Sequence, residues 1–294
     1  AFGECWSIRK IYAEGVTSVM DYGLSAAGLT EAKFSEDFYW VGTGAFLDCG
    51  KLEKITITKN ITHIGEKAFY NSALTEFDFN EAITEIPYFA FYSTDVESIV
   101  ISSNVTAIGE SAFEDCKILK ELVIPESVTT IEKNAFKKCS ALGVVEIPDS
   151  VKEIGESAFS DCSNIRVLKL SKSLTTIGTS VFYKCLSLES VEIPDSVTTI
   201  GEYAFYNCQS LLSVKIPNSV TTIYMYAFSG CSSLLGVEIP DSVTTIGKNA
   251  FENCSALKNL KLSNSLTEIL ESTFSGCSAL ENLEIPDSVT AIYA

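Results

Sequence analysis

The sequence predicts a repeat solenoid rich in β-structure, and three observations carry that reading. A phenylalanine recurs at Phe46, Phe69, Phe91, Phe113, Phe136, Phe159, Phe182, Phe205, Phe228, Phe251 and Phe274, at intervals of 22 or 23 residues. An apolar alternation, closed by proline in most of the later units, returns at one place in the interval. Nine of the ten cysteines fall three residues after a member of the phenylalanine file. A unit of this size has one apolar face that it cannot bury alone, so neighbours must stack into a continuous core.

The segment Cys185 to Phe205, CLSLESVEIPDSVTTIGEYAF, shows the unit in full. Alternation of Val191 and Ile193 predicts a short strand with one buried face. Pro194 has no amide donor and ends it, and Asp195-Ser196 supplies turn chemistry. Val197 to Ile200 is expected to run extended again. Gly201 to Asn207 then fits one short helical turn that points Ala204 and Phe205 inward.

The unit C-x-x-L-x-x-V-x-I-P-x-S-V-T-x-I-G-x-x-A-F resembles the leucine-rich repeats of the BspA-like (Treponema pallidum) class, from roughly Phe38 to the C-terminus. The resemblance implies a right-handed leucine-rich-repeat superhelix, about 11 units of 22–23 residues, with a parallel sheet along one side. It also implies an extracellular or cell-surface protein linked to adhesion and host contact, with a protein or glycan partner. It names no ligand.

Residues 1–37 read as a degenerate N-terminal capping unit ahead of a solenoid at 38–294. Val16-Thr17-Ser18-Val19 sits 22 residues before Phe38 and Val41, and Leu24 falls in the phenylalanine position. Trp6 and Phe34 are expected to cover the open end of the core. At the other end the sequence stops in mid-unit after Val289 and Ile292, without a polar cap. The expectation there is further chain, or end-to-end self-association.

The cysteine file is Cys49, Cys116, Cys139, Cys162, Cys185, Cys208, Cys231, Cys254 and Cys277; the units that follow Phe69 and Phe91 lack it and have a shorter loop. Stacked strands ~4.8 Å apart hold parallel Cβ vectors side by side, which suits a ladder of buried thiols better than disulfides. No C-x-x-C pair suggests a metal site. Asp149, Asp195, Asp241 and Asp287 recur every second unit, ~10 Å apart by the strand spacing. That is too far to share a cation, and they read as turn formers.

The outward strand position reads Thr56, Asp78, Val100, Val123, Glu146, Lys169, Glu192, Lys215, Glu238, Lys261, Glu284. Its sign alternates from Glu146 onward, so neighbours attract and the file neutralises itself. Over the chain, 21 basic residues face 38 acidic ones, a net charge of −17. Such a surface repels phosphate backbones and anionic headgroups, which argues against nucleic acid. No run of 18 apolar residues occurs, so direct membrane insertion of a helix is not expected.

A lone histidine, His63, at an outward position expected to be solvated, leaves little room for His-based catalysis or a multi-His metal site. No G-x-S-x-G, P-loop, H-E-x-x-H or dinucleotide fingerprint is present. The chain therefore reads as a non-enzymatic binding module, with no cofactor and no metal.

Three groupings are candidate contact surfaces. Tyr183, Tyr203, Tyr206, Tyr224, Met225 and Tyr226 cluster in three successive units, and Tyr70, Tyr88, Phe89 and Tyr92 form a similar group earlier. Val100, Val123, Val144 and Val167 hold outward strand positions and are expected to form an apolar strip. Exposed aromatic groups supply contact area at low entropy cost. The alternative is a structural spacer that binds nothing.

Overall fold

Alternate side chains of the strand Ser190–Glu192 point to opposite faces, and only Val191 is buried. The strand pairs in parallel with Ser213–Lys215, one turn on, placing Val191 opposite Val214 and Glu192 opposite Lys215. After Pro194 the backbone reverses, the Pro194 carbonyl accepting from the Val197 amide at 3.0 Å. A second short strand, Thr199–Ile200, pairs in parallel with Thr222–Ile223. The unit read from the sequence is thus one turn of a parallel β-solenoid.

The computed structural model describes residues 1–56 and 60–294; the side chains of Lys54 and Thr56, the latter one of the outward positions read above, lie outside what it describes. Two units, Ala1–Leu142 and Gly143–Ala294, are built from this turn.

The helical turn expected at Gly201–Asn207 does not form, and no helix occurs among the described residues. Tyr203 and Asn207 take left-handed conformations, at φ 55° and 54°. Between them the amides alternate in use. Those of Ala204 and Tyr206 close local bonds to Gly201 and Tyr203, while those of Phe205 and Asn207 donate to Ala227 and Ser229 in the next turn, at 2.8 and 2.7 Å. A helix would turn every amide back on its own segment; here half of them stitch turns together. The same left-handed pair, two residues before and two after the phenylalanine, recurs along the chain. Gly230 fills the second position at φ +75°, where an added Cβ would meet Asn207 Oδ1 at 2.1 Å.

Inside each unit the phenylalanines form a stacked file. In the first, Phe46, Phe69, Phe91, Phe113 and Phe136 follow at 5.5, 5.4, 5.2 and 5.4 Å between ring centroids. In the second, Phe159, Phe182, Phe205, Phe228 and Phe251 follow at 5.8, 5.5, 5.3 and 5.3 Å. All ten are fully buried. Phe77 and Phe79 pack edge-on against Phe91 where a turn has bulky rings in place of its first strand.

All ten cysteines carry thiols. Most thiols of the file donate back to the phenylalanine carbonyl one turn earlier, as from Cys208 to Phe182 at 3.3 Å and from Cys231 to Phe205 at 3.3 Å, and Cys49 donates to Leu24, which holds the phenylalanine position, at 3.2 Å. This explains the residue type: a small apolar side chain with one weak donor. In the shorter turns the position belongs to Ser72 and Thr94, and the Thr94 hydroxyl donates to Phe91 at 3.0 Å. Burial pushes the Cys49 and Cys116 thiols up to about 11 and Cys208 up to about 12. Alkylation of the native protein at neutral pH is expected to reach only Cys5 and Cys277, the two half-buried thiols. Denaturation without reductant should open all ten to the reagent, and a shortfall by mass spectrometry would mean disulfides.

Residues 1–37 build the same turn. Lys10–Ala13 pairs in parallel with Glu31–Phe34, and Ser18–Val19 with Trp40–Val41. Phe2 stands 22 residues before Leu24, and its amide donates to Gly23 as that of Leu24 donates to Ala45. Cys5 follows Phe2 by three residues, so the tenth cysteine keeps the register of the other nine. Of the two aromatic residues expected over this end, Phe34 is buried and stacks on Phe38 at 4.3 Å, whereas Trp6 is 64% exposed.

Candidate functional site

Stacking turns of constant length brings residues 22 or 23 apart into register, which assembles the tyrosines. Tyr183 lies flat against Tyr206 at 5.1 Å, and Tyr203 against Tyr226 at 4.9 Å, with interplanar angles of 7° and 4°. The two pairs meet edge-to-face, Tyr203 to Tyr206 at 5.5 Å. Lys184 Nζ sits over the Tyr183 ring at 5.1 Å. All four rings are half-buried. Burial pushes the Tyr203 phenol up, and Glu202 and the neighbouring phenols add to it. Tyr224 stands apart, 51% exposed and outside these ring contacts, beside a half-buried Met225.

Tyr203 and Tyr226 both hold the left-handed position ahead of the phenylalanine, at φ 55° and 58°. Most turns place Gly, Ser, Asn or Lys there. A bulky side chain in that region costs about 1 kcal/mol, so ring placement, not backbone ease, explains these residues.

The earlier group repeats the arrangement in the first unit. Tyr70 stacks on Tyr92 at 4.5 Å and 9°, Phe89 takes the left-handed position at φ 54°, and Lys67 lies 5.6 Å from the Tyr88 ring. Burial pushes the Tyr70 and Tyr92 phenols up.

The four valines are exposed by 50–64% but do not share one position. Val100 and Val123 are opposite each other at the last residue of their strands, Val144 and Val167 at the first of theirs. They form two pairs, one in each unit, because the strand has two outward positions and the expected strip mixed them.

The charged file takes the register expected of it: Glu146 faces Lys169, Glu192 faces Lys215 and Glu238 faces Lys261. Ion pairs join the first two residues at 3.9 Å and the last two more closely. A shallow groove of about 720 Å³ opens beside it, lined by Val214, Lys258, Asn259 and the already paired Glu238 and Lys261.

The turn aspartates act between turns: Asp149 Oδ1 accepts from the Lys172 amide and Asp241 Oδ1 from the Asn264 amide, both at 2.9 Å. No three His, Cys, Asp or Glu side chains gather to hold a metal ion among the described residues. His63, expected to be solvated, is half-buried and stacks on Trp40 at 3.7 Å. The 23-residue spacing of this pair was the available signal.

Short parallel strands stacked in register, with phenylalanine and thiol files inside, define a leucine-rich-repeat β-solenoid. The sequence profile of the BspA type leucine rich repeat region matches residues 1–95, 84–211 and 175–294. The chain belongs to this family. It is similar to a leucine rich cell surface protein from Faecalibacterium prausnitzii, at 26% identity over 97% of this chain and 76% of that one, with a TM-score of 0.51. A leucine-rich repeat protein from Eubacterium ventriosum is 25% identical over 90% of this chain and 81% of that one, with a TM-score of 0.62. One from Bacteroides ovatus, 24% identical over 98% of this chain and 88% of its own, shares the fold at a TM-score of 0.58. No curated protein matches the chain. No helix among the described residues is long and apolar enough to cross a membrane.

Proposed function

We propose that this chain is a non-enzymatic binding or adhesion module, extracellular or at a cell surface, that presents its solenoid wall to a protein or glycan partner. The observation that carries this reading is the tyrosine cluster, where two turns accept left-handed aromatic residues to assemble four rings. Rigid phenols offer contact area and a hydroxyl each with few rotamers to freeze. The family, and the printed description of the Faecalibacterium protein as a cell surface protein, support the location.

The self-neutralising Glu–Lys file supports a second reading, a spacer that holds its turns in register and binds nothing. A screen of the purified chain against matrix proteins and a glycan array at physiological salt separates the two. Beside it runs a variant with Tyr183, Tyr203, Tyr206 and Tyr226 changed to Ser. The expected result is a specific hit weakened about tenfold or more in the variant, as for aromatic anchors. A hit retained by the variant moves the site to the valine pairs; no hit at all favours the spacer.

A further inference from the structure

The 12 tyrosines divide cleanly by environment. Six lie in flat pairs across consecutive turns: Tyr70 with Tyr92, Tyr183 with Tyr206 and Tyr203 with Tyr226, at 4.5–5.1 Å and within 9° of parallel. The other six, Tyr12, Tyr22, Tyr39, Tyr88, Tyr224 and Tyr293, are exposed by 38–61% and none stacks flat on another tyrosine among the described residues. The paired rings are half-buried, so their phenols remain within reach of small oxidants, and the backbone ladder fixes their mutual position.

We propose that these pairs are oxidative cross-linking sites, at which a haem peroxidase with hydrogen peroxide couples each pair into a dityrosine that joins consecutive turns. The peroxidase takes one electron and one proton from each of two phenols. The two phenoxyl radicals then join through a carbon–carbon bond ortho to their oxygens. Each ring hydrogen at the new bond moves to its oxygen, which restores both phenols. The pair loses two hydrogen atoms in all, and the peroxide that accepts them leaves as two waters. In dilute solution, coupling between rings already held together is favoured over coupling that must wait for an encounter, and the solenoid supplies that proximity at three places. The product would add a covalent tie between turns that are otherwise joined by non-covalent contacts.

The test is a dilute solution of the purified chain treated with horseradish peroxidase and hydrogen peroxide, followed by gel analysis, dityrosine fluorescence and peptide mapping by mass spectrometry. The expected product is monomeric, fluorescent and lighter by two hydrogens per link. Its cross-linked peptides should join Tyr70 to Tyr92, Tyr183 to Tyr206 and Tyr203 to Tyr226. Tyr92→Phe, Tyr206→Phe and Tyr226→Phe together keep the stacked rings but remove one phenol from each pair, and should abolish the intramolecular links. Coupling confined to the six exposed tyrosines, seen as chain-to-chain dimers, would overturn the proposal. So would an intramolecular yield unchanged in the triple variant.

Discussion

Phe205→Ala is expected to destabilise the protein by about 3–5 kcal/mol, the usual cost of truncating a fully buried aromatic ring. The ring is inaccessible to solvent and lies between Phe182 at 5.5 Å and Phe228 at 5.3 Å, so its removal empties one site of the file and leaves two ring faces without a partner. The backbone on both sides is held by the ladder bond from the Phe205 amide to Ala227, which limits how far the turns can close over the gap. Phe274 supplies the contrast. It has the same register but is half-buried, with Phe251 at 5.6 Å as its ring neighbour, and Phe274→Ala should cost clearly less. Urea titration of the two variants measures the difference. Hydrogen exchange adds a spatial test: in a stack whose turns touch only their neighbours, protection should fall first around Phe182, Phe205 and Phe228. A loss spread evenly over the chain would contradict that picture.

The residues that follow the period were legible, and those that act through backbone geometry were not. A fixed interval places Phe182, Phe205 and Phe228 over one another whatever the local conformation, and the same arithmetic brings Tyr183 to Tyr206 and Tyr203 to Tyr226. The turn at Gly201–Asn207 was misread because an Ala-Phe step among small and polar residues suits a helix. Nothing in Tyr203 announces a left-handed residue, and the alternate use of amides depends on a neighbour that local sequence does not contain. Phe2 and Cys5 went unaligned because Leu24 replaces phenylalanine and breaks the file between them and Phe46. The valines were assigned to one strip because outward positions two residues apart look alike in a three-residue strand; only the pairing register separates Val100 from Val144. Within the aromatic candidate, the four registered tyrosines come together while Tyr224 does not, since it has no tyrosine 23 residues away.

Alkaline pH should unfold the protein through its thiol ladder. Burial disfavours the thiolate, which holds Cys49 and Cys116 at about 11 and Cys208 at about 12, and it pushes Cys185, Cys231 and Cys254 well up too. In the unfolded chain the same thiols ionise near ~8.5–9. Below that pH both states are protonated and the thiols add no slope. Above it the unfolded state sheds protons that the folded state keeps, so stability falls as pH rises until each folded value is passed. One thiol contributes ~1.4 kcal/mol per pH unit in that window, and Cys49, Cys116 and Cys208 together about 4 kcal/mol per unit between about pH 9 and 11. Against a typical total of about 5–15 kcal/mol, the chain should unfold cooperatively within roughly two pH units of the point where thiols begin to ionise. Replacing Cys116, Cys208 and Cys231 with Ser isolates this effect from the phenols and lysines that titrate nearby. Ser72 and Thr94 already hold the equivalent position, the Thr94 hydroxyl donating to the Phe91 carbonyl of its own turn, so the site accepts a non-titrating hydroxyl. Urea denaturation at a series of pH values should then give a shallower decline for the variant above pH ~9 and a slope equal to the parent's below it. Equal slopes throughout would show that the thiols ionise without unfolding the turns around them.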